Sequence, residues 1–235
     1  MLSRTQAREA ISSMWVIAHR GFSGRHPENT LRSFRAAAEL GVDMVECDVH
    51  ASADGKLAVI HDATLDRTTS GTGPVAQRTM AELRALDAGE GERIPTLEEL
   101  LEAVDIPVVV EVKAPGALQP LLALYAQDAR LKERLWPISF AHPLIKELTQ
   151  RMPDLVAGVL YAGIPVEPWT LAQAAGAKIL LPALETATRE EVQAAHSHGL
   201  YYSVWTADTE EELRYAQEIG VDGIATNFPD RLIGG

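Results

Sequence analysis

The chain has 235 residues, 46% of them apolar and 23% charged, with a formal net charge of −12. That length is ordinary for an α/β barrel, and the apolar fraction supplies a sizeable core. The acidic balance argues against a nucleic-acid backbone or an anionic membrane as the main partner, although a bound cation with Arg and Lys beside it would still admit a small anionic substrate.

In chain order, Met1 to Met14 mixes Arg, Gln, Glu and Ser without an apolar targeting segment, and no run reaches the length of a transmembrane helix. A cytoplasmic protein with no stable membrane association is expected. The single cysteine, Cys47, cannot form an internal disulfide, which fits an intracellular protein. Apolar, β-rich runs predict strands near 15–19, 44–49, 107–112, 135–140, 155–161, 178–181, 200–205 and 222–226. Helix-start signals fall between them: Asn29-Thr30 before Leu31, and capping-box patterns at Thr188 to Glu191 and Thr209 to Glu212. Gly41, Gly176, Gly199 and Gly220 follow helical patterns, where a left-handed residue ends a helix.

Eight strands alternating with helices predict a closed parallel (β/α)8 barrel, a TIM barrel, in one domain spanning 1–235. An open doubly wound sheet would favour a glycine-rich phosphate loop after the first strand, and His19 to Gly24 is not one. The interval 51–97 breaks the alternation with a turn at Ala53 to Lys56, the His61-Asp62 pair and a helix near 79–86. It is predicted as a small insertion after the second strand, lying over the barrel mouth.

Ionisable residues recur near the ends of these strands, where an unpaired interior charge would be costly. Glu46 and Asp48 are two apart and share one face, while Cys47 between them faces away as a packing thiol. Glu111 and Lys113 repeat that spacing. The three carboxylates suit a hard divalent cation, Mg²⁺, Ca²⁺ or Mn²⁺, or else structural ion pairs. His19 and His61 suit an acid–base pair, or a capping role at strand ends. Arg20 and Lys113 can clamp a phosphate or neutralise the carboxylates. Trp205 ends a strand and can face the mouth or pack in the core. His50 is placed just past its strand, His26 and His142 in loops, and His196 and His198 at a helix end.

The ordered motifs carry more. His19-Arg20-Gly21, Pro27-Glu28-Asn29-Thr30, Glu46-Cys47-Asp48-Val49, Asp54-Gly55, His61-Asp62, Arg67-Thr68-Thr69, Ile94 to Leu97 and Glu111-Val112-Lys113 appear in that order. Ser139-Phe140, Val204-Trp205-Thr206 and Asp222 to Asn227 follow. From about residue 15 to the C-terminus the chain resembles the glycerophosphodiester phosphodiesterases. The resemblance implies a TIM barrel and hydrolysis of a small-molecule glycerophosphodiester to glycerol 3-phosphate and an alcohol. It implies that Glu46, Asp48 and Glu111 bind the divalent cation, that His19 and His61 exchange protons, and that Arg20 and Lys113 hold the phosphate. It further implies that Trp205 lines the substrate pocket and that Glu28 supports the site, helix-start stabilisation being the other reading of Glu28.

The chain departs from the family pattern at Asp208, often Asn; at Ala141, often Asp; and at Arg25-His26, usually smaller. These changes bear on substrate preference more than on the reaction. A lysophospholipase D-type reading would call for an apolar mouth, for which only Phe22 and Trp169 stand out. A non-catalytic phosphate-ester-binding barrel would predict loss of a key residue, and all seven proposed metal, proton-transfer and phosphate-binding residues are present. A metal-dependent aldolase or isomerase would depend on Lys113 alone. Oligomeric state is left open.

Overall fold

Nine apolar runs become strands in the computed structural model, which describes residues 14–233. The N-terminal segment read as lacking a targeting signal lies, but for Met14, outside the described residues. The strands are β1 (Trp15–His19), β2 (Met44–Ala51), β3 (Leu57–Val59), β4 (Val108–Val112), β5 (Leu135–Ser139), β6 (Gly158–Tyr161), β7 (Ile179–Pro182), β8 (Tyr201–Val204) and β9 (Gly223–Thr226). All but β3 pair in parallel, from β1 through β2, β4 and onward to β9, and β9 returns to β1. The result is the expected closed eight-stranded barrel, with helices packed outside it. β3 stands outside that ring, antiparallel to β2 with Val49 opposite Val59.

Strand periodicity divides the side chains into two layers. Val16, Ala18, Val45, Cys47, Val108 and Val110 point outward and pack with Phe34, Leu100, Leu121 and Ile145 beneath the helices. Ile17, Met44, Val109, Ile138, Leu160, Ile179, Leu181 and Ala225 fill the barrel interior. Trp15 floors that interior, its ring centroid 5.6 Å from Trp136 and 5.2 Å from Tyr201. Burying one such aliphatic side chain stabilises by about 1.5–3 kcal/mol, so these two layers carry most of the fold.

The helices are α1 (Leu31–Leu40), α2 (Met80–Arg84), α3 (Leu97–Ala103), α4 (Leu118–Gln127), α5 (His142–Arg151), α6 (Trp169–Ala175), α7 (Arg189–Ser197) and α8 (Glu210–Ile219). Thr30 caps α1 through the Ser33 amide, a contact worth about 1 kcal/mol. Full capping boxes form at Thr79/Glu82, Thr96/Glu99 and Thr209/Glu212. At Thr188 only half of the expected box forms. The threonine accepts from the Glu191 amide, but the Glu191 carboxylate instead accepts the Tyr202 hydroxyl at 2.6 Å. Left-handed glycines end α1, α6 and α8 at Gly41, Gly176 and Gly220.

The interval 51–97 contains the β2–β3 turn, β3 and α2, and builds its own small core from Ala58, Ile60, Leu65, Val75, Leu83 and Ile94. His50, expected past its strand, is inside β2 and buried. Its Nε2 lies 3.0 Å from the His61 carbonyl, so the residue braces the hairpin that presents His61. His142 is the first residue of α5, with Nε2 2.7 Å from the Leu160 carbonyl.

The turn leaving β1 has the tightest backbone requirement. Arg20 and Gly21 are both left-handed, with φ of 55° and 76°. A Cβ on Gly21 would lie 2.6 Å from the Ser33 carbonyl carbon and 2.8 Å from the Phe34 nitrogen, both backbone atoms of α1. Gly21→Ala is therefore expected to cost about 2–4 kcal/mol, combining left-handed strain with overpacking. Urea denaturation measures it. A loss below about 1 kcal/mol would mean that the turn relaxes away from α1.

Candidate active site

Parallel register brings the strand-end residues together. His19 pairs with Glu46 across β1 and β2, and Asp48 pairs with Glu111 across β2 and β4. A cavity of about 80 Å³ opens above the interior core at the C-terminal ends of the strands. One wall is ionisable, made by His19, Arg20, Glu46, His61, Glu111 and Lys113. The opposite wall is apolar, made by Ile138, Phe140, Leu160, Leu181 and Trp205. Trp205 fixes its ring by donating from Nε1 to the Leu181 carbonyl at 2.9 Å, and Phe140 meets it edge-on with centroids 5.5 Å apart.

Glu46, Asp48 and Glu111 are buried, and each offers a ligand oxygen within 4.8 Å of the others. Burial raises the pKa of Glu46 well above the usual carboxylate range, and the charges of Asp48 and Glu111 add to it. Burial and Asp48 push Glu111 up to about 7. Burial would raise Asp48 too, but Arg20 and Lys113 outweigh it and hold Asp48 below its ordinary value. Lys113 Nζ lies 2.9 Å from Glu111 Oε1 and 3.5 Å from Asp48 Oδ1, and Arg20 Nε lies 3.3 Å from Asp48 Oδ2. Asp48 Oδ1 is buried and accepts no hydrogen bond. A buried carboxylate oxygen with no hydrogen bond and only a long ion pair, among three converging acids, fits a hard, oxygen-seeking divalent cation.

The two histidines are each held at Nδ1. His19 Nδ1 is 2.7 Å from Asn227 Oδ1, and its Nε2 is 3.9 Å from Glu46 Oε2. Burial and the Arg20 charge lower its pKa. His61 Nδ1 is 2.6 Å from Asp62 Oδ1. Arg67 donates to both oxygens of Asp62, at 2.7 and 3.0 Å, and to both oxygens of Glu28, at 2.9 and 2.8 Å. Glu28 also accepts Arg20 NH1 at 2.9 Å. An ionic chain thus runs from His61 to Arg20, with Glu28 as the link between two arginines. The Glu28 side chain does not cap α1, because Thr30 fills that position.

All nine residues singled out by sequence, His19, Arg20, Glu28, Glu46, Asp48, His61, Glu111, Lys113 and Trp205, lie in or directly against this cavity. Sequence reasoning gave no site role to Asn29, Asp62, Arg67 or Asn227, and linked Asp208 only to substrate preference, whereas its carboxylate is bonded to Asn227 behind His19. Asn29 Nδ2 donates to Asp48 Oδ2 at 2.9 Å, and its φ of 58° turns the chain back toward β2. Asp62, Arg67, Asn29 and Asn227 were visible as motif members, and a polar residue just past the end of β9 repeats the pattern of β1. Of the departures, Arg25 pairs with Asp230 at 2.6 Å and His26 packs edge-on against Phe22, both beside the β1 turn.

The model of the glycerophosphoryl diester phosphodiesterase family matches residues 19–231. A glycerophosphodiester phosphodiesterase of Caldanaerobacter subterraneus subsp. tengcongensis is 39% identical over 233 residues, covering 93% of this chain and 96% of the relative. A phosphodiesterase of Oleispira antarctica, solved in complex with the product sn-glycerol-3-phosphate, superposes with a TM-score of 0.84 at 28% identity, covering 93% of this chain and 94% of that one. The Agrobacterium tumefaciens glycerophosphodiester phosphodiesterase gives 0.82 at 28% identity, covering 94% and 100%. An α/β barrel with an ionisable mouth therefore has its place among the phosphoric diester hydrolases. The chain belongs to the glycerophosphoryl diester phosphodiesterase family.

Burial, together with the repulsion in the acid cluster, has a measurable effect on stability. Glu111 titrates near 7 in the fold and near 4.5 when unfolded, so the native state holds its proton more tightly. That term favours folding below the unfolded value and is lost as pH rises to about 7. In cation-free protein, Glu111→Gln should raise stability by about 1–3 kcal/mol at about pH 8 and change little near pH 5. Thermal melts at both pH values check this. A lower midpoint at the higher pH would show that Lys113 over-compensates the repulsion.

Proposed function

We propose that the protein hydrolyses glycerophosphodiesters to glycerol 3-phosphate and an alcohol, with His19 and His61 as the proton-exchanging pair. The observation that carries this is the presence of both imidazoles, each tied at Nδ1, in one cavity with Arg20 and Lys113. With Nδ1 engaged, Nε2 of each ring is the nitrogen free to handle a proton. One ring removes the proton from the attacking oxygen, and the other delivers a proton to the departing alcohol as the P–O bond breaks. Arg20 and Lys113 pair with the phosphoryl oxygens and stabilise the charge that develops there. A divalent cation held by Glu46, Asp48 and Glu111 would neutralise the acid cluster and polarise the phosphate. Trp205 and Phe140 pack on the carbon skeleton of the substrate and keep water from that side.

The product seen with the Oleispira relative supports this substrate class. We further propose that the chain acts as one domain in the cytoplasm. The lone, buried Cys47, whose thiol burial pushes up and renders inert, supports the location. No helix among the described residues is long and apolar enough to cross a membrane.

The test is a panel of glycerophosphodiesters incubated with and without chelator, reading released glycerol phosphate. Turnover should require a divalent cation. His19→Ala and His61→Ala should each lower kcat by at least about 100-fold with melting behaviour unchanged. Near wild-type turnover in either variant would remove that histidine from the mechanism.

One observation favours a second reading, a lysophospholipase D-type activity. Phe22 is buried and Trp169 half-buried, so neither supplies the apolar mouth. Among the described residues the exposed large apolar side chains lie elsewhere: Tyr215 on α8, Phe140 at 46% beyond β5, and Ile164 at 80% and Val166 at 95% on the loop beyond β6. Those loops leave adjacent strands beside the apolar wall. On this reading, Ile164→Ser/Val166→Ser lowers kcat/KM for a lysophospholipid about 10-fold and leaves a short-chain glycerophosphodiester unaffected. Equal activity of the variant on both substrates would reject it.

A further inference from the structure

Asp208 is a departure from the family pattern, and it stands immediately behind the group that holds His19. Its carboxylate takes three donors. Oδ1 accepts the Asn227 backbone amide at 2.8 Å and the Thr226 hydroxyl at 3.1 Å, and Oδ2 accepts Asn227 Nδ2 at 2.6 Å. The carboxylate is itself anchored. The Asp208 amide donates to Glu212 Oε2 at 2.9 Å, within the capping box of α8, and Arg231 donates to its carbonyl. Asp208 therefore sits at a helix start and links it by hydrogen bonds to the end of β9.

The order of donors and acceptors follows from chemistry. A carboxylate only accepts, so the Asn227 side chain must turn its NH2 to Asp208 and its oxygen to His19. An oxygen facing His19 Nδ1 at 2.7 Å requires a proton on that nitrogen. The neutral ring is then the Nδ1–H tautomer, and unprotonated Nε2 looks toward the cavity and Glu46. Ser23 Oγ lies 2.7 Å from both Asn227 Oδ1 and the His19 carbonyl, and its one proton serves one of them at a time, so the amide orientation is set by Asp208.

We propose that Asp208 and Asn227 are positioning residues that fix the ring orientation and tautomer of His19. The proposal rests on the reading of His19 as one of the proton-exchanging pair. It assigns no contact with substrate to either residue. A neutral ring in the other tautomer would leave Nδ1, tied to Asn227, as its only unprotonated nitrogen, so the nitrogen facing the cavity could not take up a proton.

The chemistry predicts the effect of exchanging the two side chains. In Asp208→Asn, Oδ1 still serves the Asn227 amide and Thr226, but NH2 now faces the Asn227 side chain. Asn227 should flip, pointing its own NH2 at His19 and forcing the Nε2–H tautomer. In Asp208→Asn/Asn227→Asp, the new carboxylate accepts from residue 208 on one side and from His19 Nδ1–H on the other, which restores the original tautomer. The experiment is ¹⁵N–¹H long-range NMR of the histidine rings at about pH 8, with steady-state kinetics on a glycerophosphodiester. The expected result is Nδ1–H in the wild type, Nε2–H in Asp208→Asn with kcat down at least about 100-fold and KM unchanged, and recovery of both in the double exchange. An Nε2–H ring in the wild type overturns the proposal without recourse to any variant. So does Asp208→Asn with an unchanged tautomer, or a double exchange as impaired as the single one. A wild type inert toward every glycerophosphodiester would instead defeat the functional reading, leaving the tautomer result to judge this one.

Discussion

Three carboxylates within 4.8 Å of one another inside a barrel repel strongly, and much of the surrounding structure compensates for that repulsion. Arg20 and Lys113 reach Asp48 from two sides, and Lys113 spans Asp48 and Glu111. Asn29 donates to the same aspartate, and the Arg20 amide donates to Glu46 at 3.0 Å. Even so, Glu46 and Glu111 remain shifted toward their protonated forms. The left-handed pair Arg20-Gly21 aims that amide and guanidinium inward while packing closely on α1. A cation bound among these acids would relieve the repulsion that destabilises the empty protein.

The second organising fact is the division of the mouth. β1, β2 and β4, with the residues just beyond them, present His19, Arg20, Glu46, Glu111 and Lys113 to the cavity, whereas β5 to β8 and the residues just beyond them present Ile138, Phe140, Leu160, Leu181 and Trp205. A phosphodiester is itself divided, with an anionic centre and a carbon skeleton. On the proposed reading the polar wall would address the first and the apolar wall the second, and the low-dielectric side would strengthen the charges opposite it. The shift of exposed apolar groups to Phe140, Ile164 and Val166 continues that apolar half outward onto the loops.

Most of the barrel was legible in the sequence, because parallel strands buried on both faces read as apolar runs and any charge within them stands out. Glu46, Asp48 and Glu111 could be grouped from a period of two, and the register then aligned them. β6 begins at Gly158, three residues later than its apolar run, since its ladder to β5 starts at Ile138 opposite Gly158. What could not be read were contacts made between distant turns. Asn227 meets His19 across 208 positions, and Arg67 meets Glu28 across 39, neither with any periodic signature. The half-formed box at Thr188 is the same lesson on a smaller scale: local pattern proposed one partner for Glu191, and Tyr202 from the neighbouring strand supplied another.

The hairpin strand β3 lies outside the ring of eight, yet the segment it opens delivers His61. That segment rests on its own small cluster around Leu65, Leu83 and Ile94 and is strapped to the rim by the Arg67 ion pairs. The segment is not separate from the barrel, since Leu57 and Val59 of β3 belong to the main core, but Leu65, Leu83 and Ile94 are fully buried in the smaller one. A packing defect among those aliphatic side chains would therefore loosen the seat of one imidazole without touching any polar group of the mouth.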